Sequence, residues 1–551
     1  MIPTPTSPNL RWWAEKEFWL VVVSLLAVMM VRISDVPLRG EEPRRAEVVV
    51  EMRYFGDWVV PRQYGDPFLS RPPFHSWMLA ASESLFHSRD RWVLRLPSVI
   101  AVLLTSILLY GYGRQFLGRV GATTAALAYP TCGEVLIQSQ LAETEPVFVL
   151  FLAGSLLLWH WGYIAKWRSA AMWSAAYGFS ALAGLCKGGL QPQVYLLGTI
   201  GVYLLWRRNL RALFSWGHLV GLLVAAAIVA AWAVPCADKV GWVTTKKIWM
   251  SDTMTRFGGW PLDEFLVHFV RIPAEVFGSL LPWGLLGGAF LIPAFRRTVF
   301  TGPDCVRFCG FAFLVAAPTI WLPPGAQTRY LVPLYPCLGV LYGAVVDWVV
   351  QARVADTIWQ RFLVFWAVVL GAFGVIGVVG VWAFPGTELE GYVLAPVRAV
   401  GYAAILLGLA VVLVVARKTM TSQAMACSVW ALAAGAVVVN LGPLTDSRVS
   451  RINDLEAAVG EVRELVPSDQ SVFAVHGVHP AVPYLLSRGV PLQPLRAVGD
   501  IPPGGYFCFN CEHHKLPAFP FAWEQVAEVC VDRMRSPVPD CTVVIARRRA
   551  F

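Results

Sequence analysis

Polar and charged residues punctuate this chain rather than alternate through it. Between them lie about 13 apolar stretches near the length needed to cross a hydrocarbon core. They run over Phe18–Ile33, Val93–Tyr112, Val120–Leu136, Pro146–Ile164, Ala170–Cys186, Leu190–Trp206, Trp216–Val234, Trp283–Phe295, Val306–Leu322, Tyr330–Val350, Phe362–Phe384, Val397–Ala416 and Ala424–Leu444. The pattern predicts an all-α polytopic membrane protein with about 13 transmembrane helices. The first apolar stretch is followed by no small-residue cleavage site, so it is expected to be a retained helix rather than a signal peptide.

Three segments interrupt the pattern. The loop spanning residues 34–91 is far longer than a usual helix–helix connection. Within it, Pro43–Phe55 and Pro73–Phe86 have helical character and apolar faces, and are expected to lie in the interface plane as amphipathic helices. The second segment is a loop from Pro235 to Pro282. The third is the tail from Asp446 to Phe551. There a helical-period stretch, Leu455–Leu465, is followed by short β-like runs such as Val472–Val475 and Thr542–Ile545. The expected organisation is a membrane domain over residues 1–445, carrying the outer loop 34–91, and a small C-terminal extracytoplasmic α/β domain over 446–551.

Composition supports the membrane reading. Hydrophobic residues make up 56% of the chain and charged residues 15%, a balance that soluble domains seldom show. Many of the 24 tryptophans stand at the ends of apolar runs, where an interfacial belt would lie. The net charge of +9 comes largely from short basic clusters at Arg114/Arg119, Lys166/Arg168, Arg207/Arg208/Arg211, Arg296/Arg297, Arg353/Arg361 and Arg417/Lys418. With the spans above, every cluster falls on the side of the N-terminus, which the positive-inside rule makes cytoplasmic. An odd number of crossings then leaves the tail outside. No nucleic-acid motif and no Gly-rich phosphate loop is present.

Candidate chemistry collects on the outer side. Glu41 and Glu42 follow the first span, next to Pro43, Arg44 and Arg45, in a constrained and ionically paired turn. A carboxylate there suits proton removal; the plainer reading is a solvated charge pair. Glu143 and Glu145 occupy a very short connection before a span, either as functional acids at a membrane boundary or as partners of a helix N-terminus. Arg71 precedes Pro72-Pro73, and a fixed guanidinium there suits a phosphate as well as a lipid headgroup. Lys187 stands before two glycines, as a phosphate contact or a snorkelling lysine. Arg256 and Arg329 are two further outer-side cations. Four such cations oppose the bias that depletes this face of Lys and Arg, which points to an anionic ligand. In the tail, Cys508-Phe-Asn-Cys511-Glu-His-His514 has poor zinc-site spacing, so disulfides or inert thiols are expected of it. His476 and His479 carry no assigned role.

These residues resemble a known family. Glu41-Glu-Pro-Arg-Arg-Ala-Glu47 is similar to the Asp-Glu-x-Arg-Tyr-Ala-Glu motif of bacterial GT-C glycosyltransferases, the protein mannosyltransferase-like and aminoarabinose-lipid A transferase-like enzymes. Tyr54-Phe-Gly-Asp-Trp-Val-Val-Pro61 resembles their Gly-Asp-Trp-hydrophobic-x-Pro segment, and Leu69-Ser-Arg-Pro-Pro-Phe-His-Ser-Trp77 their Lys-Pro-Pro-Leu-x-x-Trp segment. Lys187-Gly-Gly resembles Lys-Gly-Pro, and Arg329-Tyr-Leu-Val-Pro-Leu-Tyr-Pro336 resembles Arg-Tyr-Leu-Leu-Pro-x-x-Pro. The matches are ordered and cover about residues 35 to 340.

The resemblance implies a GT-C fold and an inverting transferase in the bacterial inner membrane. Such an enzyme takes a sugar from a polyprenyl-phosphate donor and gives it to a lipid A, protein or glycan acceptor on the periplasmic side. It implies Glu41 as general base, Glu143 as the second acid, and Arg71 in the place of a lysine that binds the donor phosphate. The outer-side cations Lys187, Arg256 and Arg329 are the further candidates for that phosphate, with Glu42, Arg44 and Glu47 in the same active-site loop. Glutamate replaces the usual aspartate at position 41, arginine the usual lysine at 71, and Arg45 the usual tyrosine. No cofactor is certain, and a divalent metal bound by the acids stays open, with no dense ligand cluster behind it. The rival class is a polytopic transporter or lipid-linked sugar translocase. It would place ionisable groups near the midplane and show repeated halves, neither of which the sequence displays.

Overall fold

A computed structural model describes the chain except residues 1–10, 255–260, 324–325, 353–355, 388, 420, 452–454, 468–469, 471, 476–477, 488–491, 495–497, 513–516, 532–540 and 551. Helices dominate. They are α1 (Lys16–Met30), α2 (Glu42–Phe55), α3 (Phe74–Phe86), α4 (Arg91–Gly113), α5 (Arg119–Ala128), α6 (Gly133–Ser139), α7 (Thr144–Ile164), α8 (Ser169–Lys187), α9 (Gln191–Trp206), α10 (Trp216–Met254) and α11 (Leu262–Ser279). After a 3₁₀ segment, Trp283–Leu291, come α12 (Pro293–Thr301), α13 (Asp304–Trp321), α14 (Tyr335–Ala352), α15 (Asp356–Ala383), α16 (Pro396–Thr419), α17 (Ser422–Leu441), α18 (Pro443–Arg451), α19 (Leu455–Leu465) and α20 (Ala481–Leu486).

Among the described residues, 8 helices are long and apolar enough to span a membrane, or 9 if α11 and the 3₁₀ segment, bent by 115°, form one broken span. The chain is therefore a multi-pass membrane protein with fewer self-evident spans than the apolar stretches suggest. The expected stretch Val120–Leu136 divides at Tyr129–Cys132 into α5 and α6, and Trp283–Phe295 is a 3₁₀ turn followed by α12. Helices inside a bundle need not be long or uniformly apolar, because neighbouring helices rather than lipid cover them. The short α5 shows why: it packs backbone to backbone on α14. A methyl group on Gly343 would come within 2.4 Å of the Gly121 carbonyl, and one on Gly339 within 2.9 Å of that of Ala125. This is the close approach that small residues four apart permit.

Ion pairs sort the helix ends. At one end Arg114 pairs with Glu15 at 2.8 Å, Arg207 with Asp304 at 3.3 Å, and the Gly118 amide donates to Asp347 at 3.0 Å. These groups belong to or adjoin the basic clusters noted in the sequence. The opposite ends of α4, α7 and α8 carry Arg95, Glu143 and Lys187.

The 34–91 segment is folded. A two-residue ladder, β1 (Arg62–Gln63) with β2 (Asp66–Pro67), follows α2. Contrary to the amphipathic expectation, α2 is covered on all sides through its middle: Val48, Val49 and Val50 are each at most 1% exposed. Three consecutive buried valines exclude a single apolar stripe. Both helices expose large apolar residues in their last turn, Tyr54 and Phe55 on α2 and Leu85 and Phe86 on α3.

The expected loop Pro235–Pro282 is also largely helical. α10 runs through Pro235 and breaks at Gly241, whose φ of 80° and ψ of 155° are not helical. The segment beyond the break seats Trp249 against the Lys187 corner: the Gly189 amide donates to the Trp249 carbonyl at 2.6 Å, and a side chain on Gly188 (φ +86°) would meet that same carbonyl.

The C-terminal sheet contains β3 (Val472–Ala474), β4 (Gln493–Pro494), β5 (Tyr506–Glu512), β6 (Trp523–Val531) and β7 (Cys541–Arg548), in the order β4-β3-β5-β7-β6. β3 is parallel to β4 and β5, and the remaining pairs are antiparallel. This sheet and its helices share one core with the loop: Leu38, Val49, Leu79, Leu94 and Ala142 cluster with Val459, Val482, Tyr506 and Val543. The Tyr64 hydroxyl donates to the Val478 carbonyl at 2.9 Å, and Arg91 pairs with Glu456 at 2.8 Å. Cys508 and Cys530 are free thiols, so the disulfide alternative fails for them and the inert-thiol alternative stands.

Candidate active site

The site begins with a strut. Glu42, in the first turn of α2, and Arg95, on α4, are both fully buried and pair at 2.8 and 2.9 Å. The same guanidinium donates to the carbonyls of Ile33, Val36 and Pro37 at 2.6, 2.9 and 3.2 Å. Glu42 in turn accepts from the Arg39 amide at 3.1 Å and the Ala142 amide at 2.8 Å. Glu42 is thereby removed from the group of reactive acids. It fixes the turn that carries Glu41 to the residue immediately before Glu143.

Glu143 precedes the first turn of α7 but makes no side-chain cap to its amides. Its carboxylate turns toward Arg329, at 3.7 Å. Glu145 pairs with Lys187 at 3.2 Å and with Arg329 at 3.9 Å. The Lys187 ammonium also lies 5.0 Å from the Tyr330 ring and 5.3 Å from Phe148, close enough for cation–π attraction. Arg71 donates to the Lys187 carbonyl at 3.5 Å. Arg45 lies within electrostatic reach of Arg71, Glu41, Glu143 and Glu145. Gly40, with φ of +60°, brings the loop beside Glu143: a side chain there would stand 3.8 Å from its carboxylate. Glu41 follows, paired with Arg44 at 2.7 Å and about one-fifth exposed at 19%.

Four cations, Arg45, Arg71, Lys187 and Arg329, thus surround two carboxylates, Glu143 and Glu145, which leaves a surplus of two positive charges. Burial, with the neighbouring Glu145 carboxylate, pushes the Glu143 carboxyl up, while Arg45 and Arg329 oppose that shift. The acids are committed to cations, so the donor set does not suit a resident metal ion. No group of three His, Cys, Asp or Glu side chains with metal-binding geometry occurs among the described residues.

The structure therefore joins Glu41, Glu143, Arg71, Lys187 and Arg329, with Arg44 on Glu41. Glu47 does not join them. It is buried on α2 near Tyr64, Tyr484 and Cys508, toward the C-terminal sheet. Arg256 lies outside the described residues. Glu145, read from the sequence as either a functional acid or a partner of a helix N-terminus, belongs to the cluster. Arg45 and His75 belong to it without having been given a site role; their signal was spacing, Arg45 four positions after Glu41 and His75 four after Arg71.

Comparison with known proteins points the same way. The family described as dolichyl-phosphate-mannose-protein mannosyltransferase matches residues 70–234, a stretch that includes Arg71, Glu143 and Lys187. The undecaprenyl phosphate-α-4-amino-4-deoxy-L-arabinose arabinosyl transferase of Edwardsiella ictaluri (strain 93-146) is 26% identical over 337 residues, 58% of this chain and 59% of that protein. The transferase of the same name from Pseudomonas aeruginosa (strain LESB58) is 27% identical over 334 residues, 58% of each chain. The chain thus matches about three-fifths of the length of these curated relatives. The crystal structure of ArnT from Cupriavidus metallidurans bound to undecaprenyl phosphate superposes with a TM-score of 0.72, covering 96% of this chain and 97% of that one at 19% identity. Its apo form gives 0.70 at 18% identity.

Proposed function

We propose that this chain, which belongs to the GT-C glycosyltransferase superfamily, transfers a sugar from a polyprenyl-phosphate donor to a periplasmic acceptor with inversion at the anomeric carbon. The donor class is the one named in the curated relatives, an amino sugar on undecaprenyl phosphate. The acceptor is a lipid, protein or glycan, with lipid A the first to test. The chain sits in the inner membrane, with the site and residues 446–551 on the periplasmic side and residues 1–445 forming the catalytic membrane domain.

One observation carries the reading: the surplus of two positive charges around Glu143 and Glu145. A sugar-bearing lipid phosphate is a diester with one negative charge. When the bond from the anomeric carbon to the phosphate oxygen breaks, the leaving monoester gains a second. Cations fixed in place by Glu143 and Glu145 stabilise that developing charge more than the ground state, which is the condition for catalysis. Arg71, Lys187 and Arg329 are assigned this role, with Arg45 added and Arg256 retained as a candidate.

Glu41 is assigned the general base. It is the more accessible acid, and its partner Arg44 is itself about one-third exposed at 35%. An acceptor hydroxyl or amine attacks the anomeric carbon from the face opposite the phosphate and loses its proton to Glu41. Glu143 and Glu145 hold the cations. The test is mass spectrometry of the cell envelope with the wild-type chain, with Glu41→Gln and without the protein. The reading expects a sugar adduct that only the wild type restores. An envelope unchanged among the three overturns it.

A further inference from the structure

His75 occupies the first turn of α3 and is 2% exposed, yet neither ring nitrogen has a hydrogen-bond partner. The other buried histidines among the described residues are anchored: His160 Nδ1 meets the Tyr112 hydroxyl at 2.7 Å, and His268 Nε2 meets the Trp321 carbonyl at 2.9 Å. An imidazole left unpaired in an interior is destabilising, and a phenyl ring would fill a purely structural position without that penalty. Its location gives a reason for keeping it. Arg45, Arg71 and Glu145 act on the ring electrostatically, and it lies beside the Glu143 backbone. His75 therefore sits inside the proposed transfer site.

The chemistry of the ring selects its ligand. Burial, with Arg45 and Arg71, pushes the imidazole down to about 3, so it is neutral. A neutral imidazole offers one N–H donor and one acceptor. Phosphate oxygens only accept, and four cations already gather for them. A hydroxyl both donates and accepts, which is what His75 can satisfy.

We infer that His75 contacts the substrate by hydrogen-bonding a hydroxyl of the sugar carried on the lipid phosphate. The inference rests on the transferase reading above and adds a residue that discriminates sugar from carrier. The test uses the full-length protein in detergent with undecaprenyl phosphate-α-4-amino-4-deoxy-L-arabinose as donor and bare undecaprenyl phosphate as inhibitor. His75→Phe is expected to lower kcat/KM for the donor by about ten- to hundredfold. Inhibition by bare undecaprenyl phosphate should stay within about twofold of wild type, because the phosphate contacts remain. His75→Gln, which keeps a donor and an acceptor, should recover part of the loss. The thermal midpoint of His75→Phe should equal or exceed that of the wild type.

Full kcat/KM in His75→Phe would overturn the inference, as would a parallel loss of donor and inhibitor affinity. Should the wild type transfer no sugar from the donor, the transferase reading itself falls and this inference falls with it. That result is distinct from an active wild type and an equally active variant.

Discussion

Replacing Arg95 by Met tests whether the buried strut positions the acids. The substitution keeps an unbranched apolar stem but removes every donor to Ile33, Val36, Pro37 and Glu42. Glu42 then retains only the amides of Arg39 and Ala142. Breaking a fully buried ion pair from one side costs about 3–5 kcal/mol, mainly because a charge is left uncompensated. The three deserted carbonyls add to that, though not additively. If the loss falls on local ordering of the turn, the population of the competent site drops by about two to three and a half orders of magnitude, since about 1.4 kcal/mol is tenfold.

The assay is single-turnover transfer by purified Arg95→Met, Glu42→Gln and the double variant, with thermal midpoints measured in parallel. Glu42→Gln neutralises the stranded charge, so the double variant is expected to be less impaired than the two single losses combined predict. Arg95→Met with turnover within about twofold of wild type and an unchanged midpoint would refute the positioning role.

Other expectations follow from the same geometry. Glu41→Gln should lower turnover by about 10²–10⁴-fold while leaving donor binding in place, measured by donor protection against heat. Lys187→Ala should weaken binding of bare undecaprenyl phosphate and remove the nearest cation from the Glu145 carboxylate; unchanged inhibition by that lipid would refute the phosphate role. Gly343→Leu should cost at least about 1–3 kcal/mol by overpacking the α5–α14 contact, read as lost folded yield or a lower midpoint.

Glu47 predicts a pH dependence. Burial, with Glu51 nearby, pushes its carboxyl up to about 8. The folded chain therefore binds a proton that the unfolded chain releases near the ordinary carboxylate range. Stability from this group is present below that range and falls as pH rises toward 8, by at most about 1.4 kcal/mol per pH unit. Glu47→Gln should flatten the profile of midpoint against pH over that window, and an unaltered slope would falsify the assignment.

Much of the fold was legible because apolar runs near membrane length have few alternatives. Most expected stretches contain a helix within a few residues of their bounds. The count of spans was less legible, because α5 and α6 are short helices that only their neighbours make stable. The character of α2 was misread for a related reason. Its valines suggested a face toward lipid, whereas a sheet more than 400 residues away covers them. In the site, charge type and order along the chain pointed to Glu41, Glu143, Arg71, Lys187 and Arg329, which the fold places near one another. Glu42 reads in the sequence as one more acid of the active-site loop, because nothing local reveals that Arg95, on another helix, claims both of its oxygens. His75 escaped notice because an unpaired interior imidazole is recognisable only once its surroundings are known.

The core shared by residues 446–551 and the α2–α3 segment has a practical corollary. Cutting the chain after the last apolar helix would leave Val49, Leu79 and their neighbours facing water. It would also strip the Tyr64 hydroxyl of its acceptor. Since α2 opens one residue after Glu41, disorder there would spread directly into the acids. The C-terminal fifth of this machine is thus no removable accessory: a shortened protein should insert and pack its apolar helices, yet come out chemically silent.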